Sequence, residues 1–267
     1  MVSFIPDKIM PPAELPRVSR ARLVASLKES LAGCNSTIVE GRAGTGKTLL
    51  AADFARQCGR RVAWYTVEAP DADLSAFFQY LCASVEAERP GFGQRVRERL
   101  GDSVGFEDVP LLVEYFVYEL LESGEPLLIV IDDLHLVYDA EWTVPFFRRL
   151  LPLLPPEVHV LLIGRSLPPA PLWRMRSKQT LCVIDERSLA FTLQEARKLF
   201  ASYGLSAERA EAALAETRGR AATLHAQART ASVNEEAIRL IAAREARHSR
   251  PLRLVKGFAR KSSMGAA

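Results

Sequence analysis

Cysteine is scarce in this chain. Cys34, Cys58, Cys82 and Cys182 are the only four, with no C-x-x-C pair and no nearby histidine. That points away from a disulfide framework or a zinc module, and towards small core residues in a reducing cytoplasm. Long apolar runs are missing too. No stretch approaches the roughly 18 uninterrupted apolar residues of a membrane span, and MVSFIPDKIMPP lacks the basic head and apolar run of a secretory leader. A charge excess is also lacking, since 35 Lys and Arg against 32 Asp and Glu leave +3. That balance alone argues for neither nucleic acid nor a membrane surface. Internal repeats and low-complexity stretches are absent. The 267 residues, 48% of them hydrophobic, suit one substantial core and a small satellite unit.

Against this background Gly41-Arg42-Ala43-Gly44-Thr45-Gly46-Lys47-Thr48 completes G-x-x-x-x-G-K-[ST], the phosphate-binding P-loop. A chance match is expected in about one chain of this length in a hundred. Glycines let the backbone wrap an anion with its N–H groups inward. Lys47 reaches the β- and γ-phosphates, the Thr48 hydroxyl takes a place on Mg²⁺, and the helix starting at Lys47 aims its positive end at the same charge. These eight residues, with Leu49 directly after them, are assigned to a nucleoside triphosphate. The context fits: Ser36–Glu40 reads as a buried strand, and TLLAADFARQC from Thr48 to Cys58 reads as a helix with Leu49, Leu50, Phe54 and Ala55 on one side.

The remaining pattern predicts an α/β fold: a five-stranded, mainly parallel sheet between helices, followed by a small all-helical domain. After an extended lead-in over residues 1–16, Leu23, Leu27 and Leu31 form a helical stripe. Further strands are expected at Val62–Val67, Leu127–Ile131, Val158–Ile163 and Leu181–Ile184. Helices are expected over Leu74–Glu88, Leu111–Glu122 and Trp142–Leu151, the last beginning near Pro145. Apolar strands alternating with helices indicate a parallel sheet covered on both faces. From about residue 188 only helices follow, one opening with the capping box Thr192-Leu193-Gln194-Glu195, then two at about 206–217 and 220–230. The division is therefore 1–187, 188–232, and a helical, basic tail over 233–267.

A phosphate cradle needs a carboxylate for Mg²⁺ and a group to orient water. Asp132 follows LLIVI directly, the Walker B arrangement, and is assigned to the metal with Thr48. Asp133 is assigned to orient or deprotonate the water. Arg165, just beyond the fourth strand, lies where open α/β sheets bind ligands and is assigned to the γ-phosphate. Lys47, Asp133 and Arg165 thus form the catalytic set. Glu68, with Asp71 and Asp73, reads as a helix-capping cluster. His135 and His159 lack metal-ligand spacing and are read as structural.

Together these residues resemble the N-terminal nucleotide-binding module of the MalT-type transcriptional regulators, LuxR-family proteins of the STAND class of P-loop ATPases. Val18-Ser19-Arg20-Ala21-Arg22-Leu23 is similar to V-x-R-P-R-L, Val62-Ala63-Trp64 to V-A-W, and Ile131-Asp132-Asp133-Leu134-His135-Leu136 to I-D-D-[YL]-H-[LI]. Leu154-Pro155-Pro156 with Gly164-Arg165-Ser166, and Leu189-Ala190-Phe191-Thr192 with Glu195-Ala196, continue the match in order. The resemblance implies an ATP/ADP-driven cytoplasmic switch with weak hydrolysis, nucleotide-dependent self-association and a role in transcription. It implies an adenine pocket lined by Val18, Arg20 and Arg22, and the same roles for Asp132, Asp133 and Arg165. There are departures. Ala21 replaces a proline, and Thr217-Arg218-Gly219-Arg220 stands where T-x-G-W is usual. The chain stops where winged-helix, helical-repeat and LuxR-type DNA-binding domains would follow. It reads as part of a longer regulator or as a stand-alone ATPase, and no helix-turn-helix match supports direct DNA binding.

Two other classes compete. A small-molecule kinase needs an arginine-rich lid, for which Arg95, Arg97 and Arg99 are available. A DNA-remodelling ATPase needs an arginine supplied to a neighbour, for which Arg148 and Arg149 are available. The tail from Arg239 to Lys261 carries eight Lys or Arg against one Glu. Its plainer reading is a solvated tail, and its functional one is contact with nucleic acid or an acidic partner.

Overall fold

The computed structural model describes residues 5–100, 105–175 and 180–248, with side chains as far as Leu240 except that of Trp173. Five strands, β1 (Ser36–Glu40), β2 (Arg61–Thr66), β3 (Leu127–Asp132), β4 (Val158–Gly164) and β5 (Leu181–Ile184), form one sheet in the order β2-β3-β4-β1-β5. Every neighbouring pair is parallel, and Leu162 of β4 lies between Ile38 of β1 and Ile131 of β3. All of β3 and β4 is buried, which is why these strands read as unbroken apolar runs rather than alternating ones.

Alternate residues feed opposite layers. Leu128, Val130, Leu161 and Ile163 pack beneath α1 (Ala21–Gly33) and α2 (Lys47–Gln57), against Leu23, Leu27, Leu50 and Phe54. Ile129, Ile131, Val160 and Leu162 face α3 (Leu74–Glu86), α4 (Gln94–Leu100), α5 (Val109–Ser123), α6 (Thr143–Leu153) and the short α7 (Ala170–Trp173). Aromatic rings dominate that layer, with Phe77 against Trp142 at 4.5 Å and Phe146 against Phe147 at 4.8 Å between centroids. A third cluster around Leu199, Phe200 and Leu224 joins α8 (Leu193–Ala201), α9 (Ala207–Thr217) and α10 (Ala221–His248). Thr192 and Glu195 make the expected reciprocal cap of α8.

The structure departs from the sequence pattern in several places. The lead-in is not extended throughout: Pro6–Ile9 is a 3₁₀ turn whose Lys8 is buried, its Nζ 2.6 Å from both Asp71 oxygens and 3.9 Å above the Tyr80 ring. A buried acid recruits the lysine, which no local pattern announces. Helix α6 starts at Thr143, ahead of Pro145, because a first-turn residue needs no N–H partner. Helix α10 runs on to His248, since no Gly or Pro interrupts residues 221–250 and Ala, Glu and Arg favour continuation. Of the cysteines only Cys82 is fully buried; Cys34 and Cys182 are half-buried with their sulfurs 3.4 Å apart. The basic positions Arg250, Arg253 and Lys256, and the side chains of Arg244 and Arg247, lie outside the described residues.

His159 sits inside β4 at 2% exposure. Its Nδ1 lies 3.0 Å from the Cys34 carbonyl and its Nε2 2.8 Å from the Thr37 hydroxyl, which lies 2.5 Å from Ser30 Oγ. A carbonyl only accepts, so Nδ1 carries the proton and Nε2 accepts from Thr37. Burial pushes the imidazole pKa down to about 4. A folded-state pKa below the unfolded value of about 6.5 means that the stabilisation is present above pH 6.5 and is lost as pH falls towards 4. In chemical denaturation, the stability difference between the wild type and His159→Gln is expected to shrink by roughly 3 kcal/mol between about pH 7.5 and pH 4. A pH-independent difference would contradict this account.

Candidate functional site

Three strand ends meet at the carboxyl edge of the sheet. β1 leads into the loop 41–48, and β3 and β4 end at Asp132 and Gly164. Gly44 and Gly46 adopt φ 80° and 82°, a left-handed conformation that suits glycine. A Cβ on Gly44 would come within 3.0 Å of Ala222, and one on Gly46 within 3.0 Å of the Arg20 guanidinium. Lys47 is 7% exposed, and its Nζ donates to the Gly41 carbonyl at 2.5 Å and the Arg42 carbonyl at 3.1 Å. Burial lowers its pKa, against the pull of Asp132 and Asp133.

Opposite Lys47 lies the acidic pair. Asp132 is 3% exposed, and burial pushes its carboxyl up to about 6, although the nearby Thr48 hydroxyl and the Asp133 N–H pull it down. Thr48 and Asp132, the two residues assigned to the metal, are therefore close enough to influence each other. A buried carboxylate beside a hydroxyl at a helix N-terminus is an oxygen-donor set that suits Mg²⁺. Asp133 takes a left-handed conformation at φ 52°, its N–H donating to Asp132 Oδ1 at 2.8 Å. Arg165 Nε stands 3.9 Å from Asp133 Oδ1. Lys47, Thr48, Asp132, Asp133 and Arg165 thus surround one small space holding cations, acids and a hydroxyl.

A cavity of about 330 Å³ adjoins it, lined by Val18, Arg20, Gly44, Gly46 and Leu49 from one side and Phe191, Ala221, Ala222 and His225 from the other. Its lining is mostly apolar and its volume suits an aromatic base. Helix α10 starts on the loop: the Ala222 N–H donates to the Gly44 carbonyl at 2.9 Å and Arg220 to the Ala43 carbonyl at 2.7 Å. Val18 packs against the third cluster.

The other assigned residues divide. Arg20 lines the cavity but spends its guanidinium on carbonyls, those of Leu189 and Gly46 at 2.8 Å and Thr45 at 3.4 Å. Burial pushes its pKa down to about 10, so it stays charged near neutrality. Arg22 turns away to the Ser188 and Ala190 carbonyls and to Glu195, and it does not line the cavity. Arg42 is exposed and paired with Glu186 at 2.7 Å. Arg95, Arg97 and Arg99 are held by Glu122, Glu86 and Asp108, and Arg149 by Glu114. Those pairs explain the surface arginines within the fold itself. Among the described residues, no cluster of three or more His, Cys, Asp or Glu could hold a metal ion, and no helix is long and apolar enough to cross a membrane.

Phe191, Arg220, Ala221, Ala222 and His225 were not singled out as site residues by the sequence. The signals lay in the matching segment Leu189–Thr192, which holds Phe191, and in 217–220, the turn that delivers α10 to the loop. Because Arg20 ties the loop to the segment entering α8, Arg20→Ala leaves buried carbonyls without donors. Each bond to a charged group contributes about 1.5–3 kcal/mol, so residues 189–248 are expected to become far more protease-sensitive. Limited proteolysis unchanged from wild type would refute the tie.

Comparison with known proteins places these features. A family model described as AAA ATPase domain matches residues 18–163. The HTH-type transcriptional regulator MalT of Serratia proteamaculans (strain 568) is 32% identical over 201 residues, 74% of this chain and 22% of MalT. MalT of Yersinia enterocolitica is 29% identical over 200 residues, with the same coverage of 74% and 22%. The chain therefore spans about a fifth of the length of these curated relatives. Among solved structures, the Aeropyrum pernix Orc1 protein, determined in complex with DNA, superposes with a TM-score of 0.52 at 18% identity, covering 84% of this chain and 63% of that one. That likeness is one of fold.

Proposed function

The chain belongs to the AAA ATPase domain family as a P-loop module similar to MalT, and on that premise we propose that it is an ATP/ADP switch with slow Mg²⁺-dependent hydrolysis. One observation carries the reading. The loop that would hold the phosphates is hydrogen-bonded through its own carbonyls to Arg20, Arg220 and the first turn of α10. Any adjustment of that loop to a γ-phosphate is thus transmitted directly to a 28-residue helix.

In this reading Lys47 exchanges its carbonyl partners for β- and γ-phosphate oxygens. Arg165 turns from Asp133 towards the γ-phosphate, where it stabilises the charge of the departing group. Asp133 orients the attacking water and accepts its proton. Mg²⁺, held by Thr48 and Asp132, would supply neutralising charge on the phosphates. The base occupies the cavity between Val18 and Phe191. ATP-dependent self-association, a cytoplasmic location and a role in transcriptional signalling belong to the same proposal. Direct DNA contact does not.

Phosphate release without any acceptor tests it. Turnover is expected below about 0.1 s⁻¹, far under the roughly 10 s⁻¹ median of metabolic enzymes, with sedimentation showing assembly in ATP but not in ADP. Fast turnover that needs an added small-molecule acceptor would establish a kinase instead.

A further inference from the structure

Asp133 has a second neighbour. The left-handed step at Asp133 starts a 3₁₀ turn over Leu134–Val137 that brings His135 Nδ1 to 3.7 Å from Asp133 Oδ1, the same oxygen that Arg165 approaches at 3.9 Å. His135 Nδ1 is buried and makes no hydrogen bond among the described residues. A buried ring nitrogen in that condition is costly unless it serves a partner that tightens in another state. The other carboxylate oxygen, Oδ2, accepts nothing from the described residues, and the side chain is 37% exposed, so water can reach it.

We propose that His135 is a positioning residue for Asp133, donating Nδ1–H to Oδ1 and thereby presenting Oδ2 to the attacking water. This rests on the reading of Asp133 as the water-orienting group. Two cationic or donor groups face one oxygen, but they are not equivalent. The Arg165 side chain is 55% exposed and able to turn to a phosphate, whereas that of His135 is 14% exposed and fixed by its turn. When Arg165 leaves, His135 is the donor that remains. Burial lowers the imidazole pKa, which keeps the ring neutral near pH 7. A neutral donor orients the carboxylate without cancelling the charge that makes it basic. The opposite tautomer would aim a lone pair at a carboxylate oxygen. The geometry therefore selects Nδ1–H, although the free imidazole has no such constraint.

The full chain tests this in two ways. Nitrogen-15 NMR of the nucleotide-free protein is expected to show His135 as the Nδ1–H tautomer, and an Nε2–H tautomer overturns the proposal. In single-turnover hydrolysis, His135→Ala is expected to slow the chemical step about 10- to 100-fold, as loss of an outer-shell partner does, with ATP affinity unchanged within about twofold. His135→Asn, whose amide can occupy the Nδ1 position, recovers part of the rate, and His135→Gln does not. Wild-type rates in all three variants, or equal losses that follow a fall in melting temperature, overturn it. Asp133→Ala is measured alongside. Normal hydrolysis in that variant sinks the reading of Asp133, while the tautomer still decides whether the His135–Asp133 hydrogen bond exists.

Discussion

Replacing Lys47 with alanine is expected to weaken ATP and ADP binding at least 100-fold. The side chain is 7% exposed and already donates to two loop carbonyls, so its ammonium is held where the phosphates would lie. Charge-assisted hydrogen bonds contribute about 1.5–3 kcal/mol each, and losing two costs roughly 3–6 kcal/mol, or some two to four decades in affinity. Lys47→Met keeps the volume and removes only the charge, which separates packing from electrostatics. Titration with a fluorescent adenine nucleotide reads both variants. Affinity within about fivefold of wild type would show that the loop does not hold the phosphates.

Asp133 carries the second large effect, and its backbone complicates the choice of substitution. At φ 52° an alanine is strained by about 1 kcal/mol, whereas asparagine tolerates the left-handed region. Asp133→Asn is therefore the cleaner variant. It is expected to bind ATP normally and to lose hydrolysis by about 100-fold or more, the range for removing a general base. Asp133→Ala should show the same kinetic loss with a small fall in stability. Hydrolysis at the wild-type rate in Asp133→Asn, checked by phosphate release, would remove Asp133 from the chemistry.

Both experiments concern residues that were legible in the sequence, and the reason is physical. The P-loop and Walker B segment are contiguous, and each is preceded by a strand buried on both faces, so composition alone marks β1 and β3. Strands β2, β4 and β5 lie within a residue of their expected bounds for the same reason. What was not legible depends on distant parts of the chain meeting. Lys8 is explained only by Asp71, 63 residues away. Phe191, Ala221 and His225 become cavity residues only because α10 docks on Gly44 and Gly46. Arg20 and Arg22 sit two apart in a single matching segment, yet one faces the cavity and the other Ser188 and Glu195. Helical geometry at the start of α1 separates them, and a linear pattern carries no such direction. His135 illustrates the same limit: it belongs to the matching segment Ile131–Leu136, yet a linear pattern does not say that the turn at Asp133 brings its ring to that carboxylate.

An ATP/ADP switch of this kind requires one site for an adenine nucleotide with its metal. Calorimetric titration of ATP into the intact chain, with Mg²⁺ present and then chelated, tests it most directly. A saturable one-to-one isotherm that weakens when the metal is removed is the predicted result. No heat of binding for either ATP or ADP, from protein shown to be folded, would contradict it.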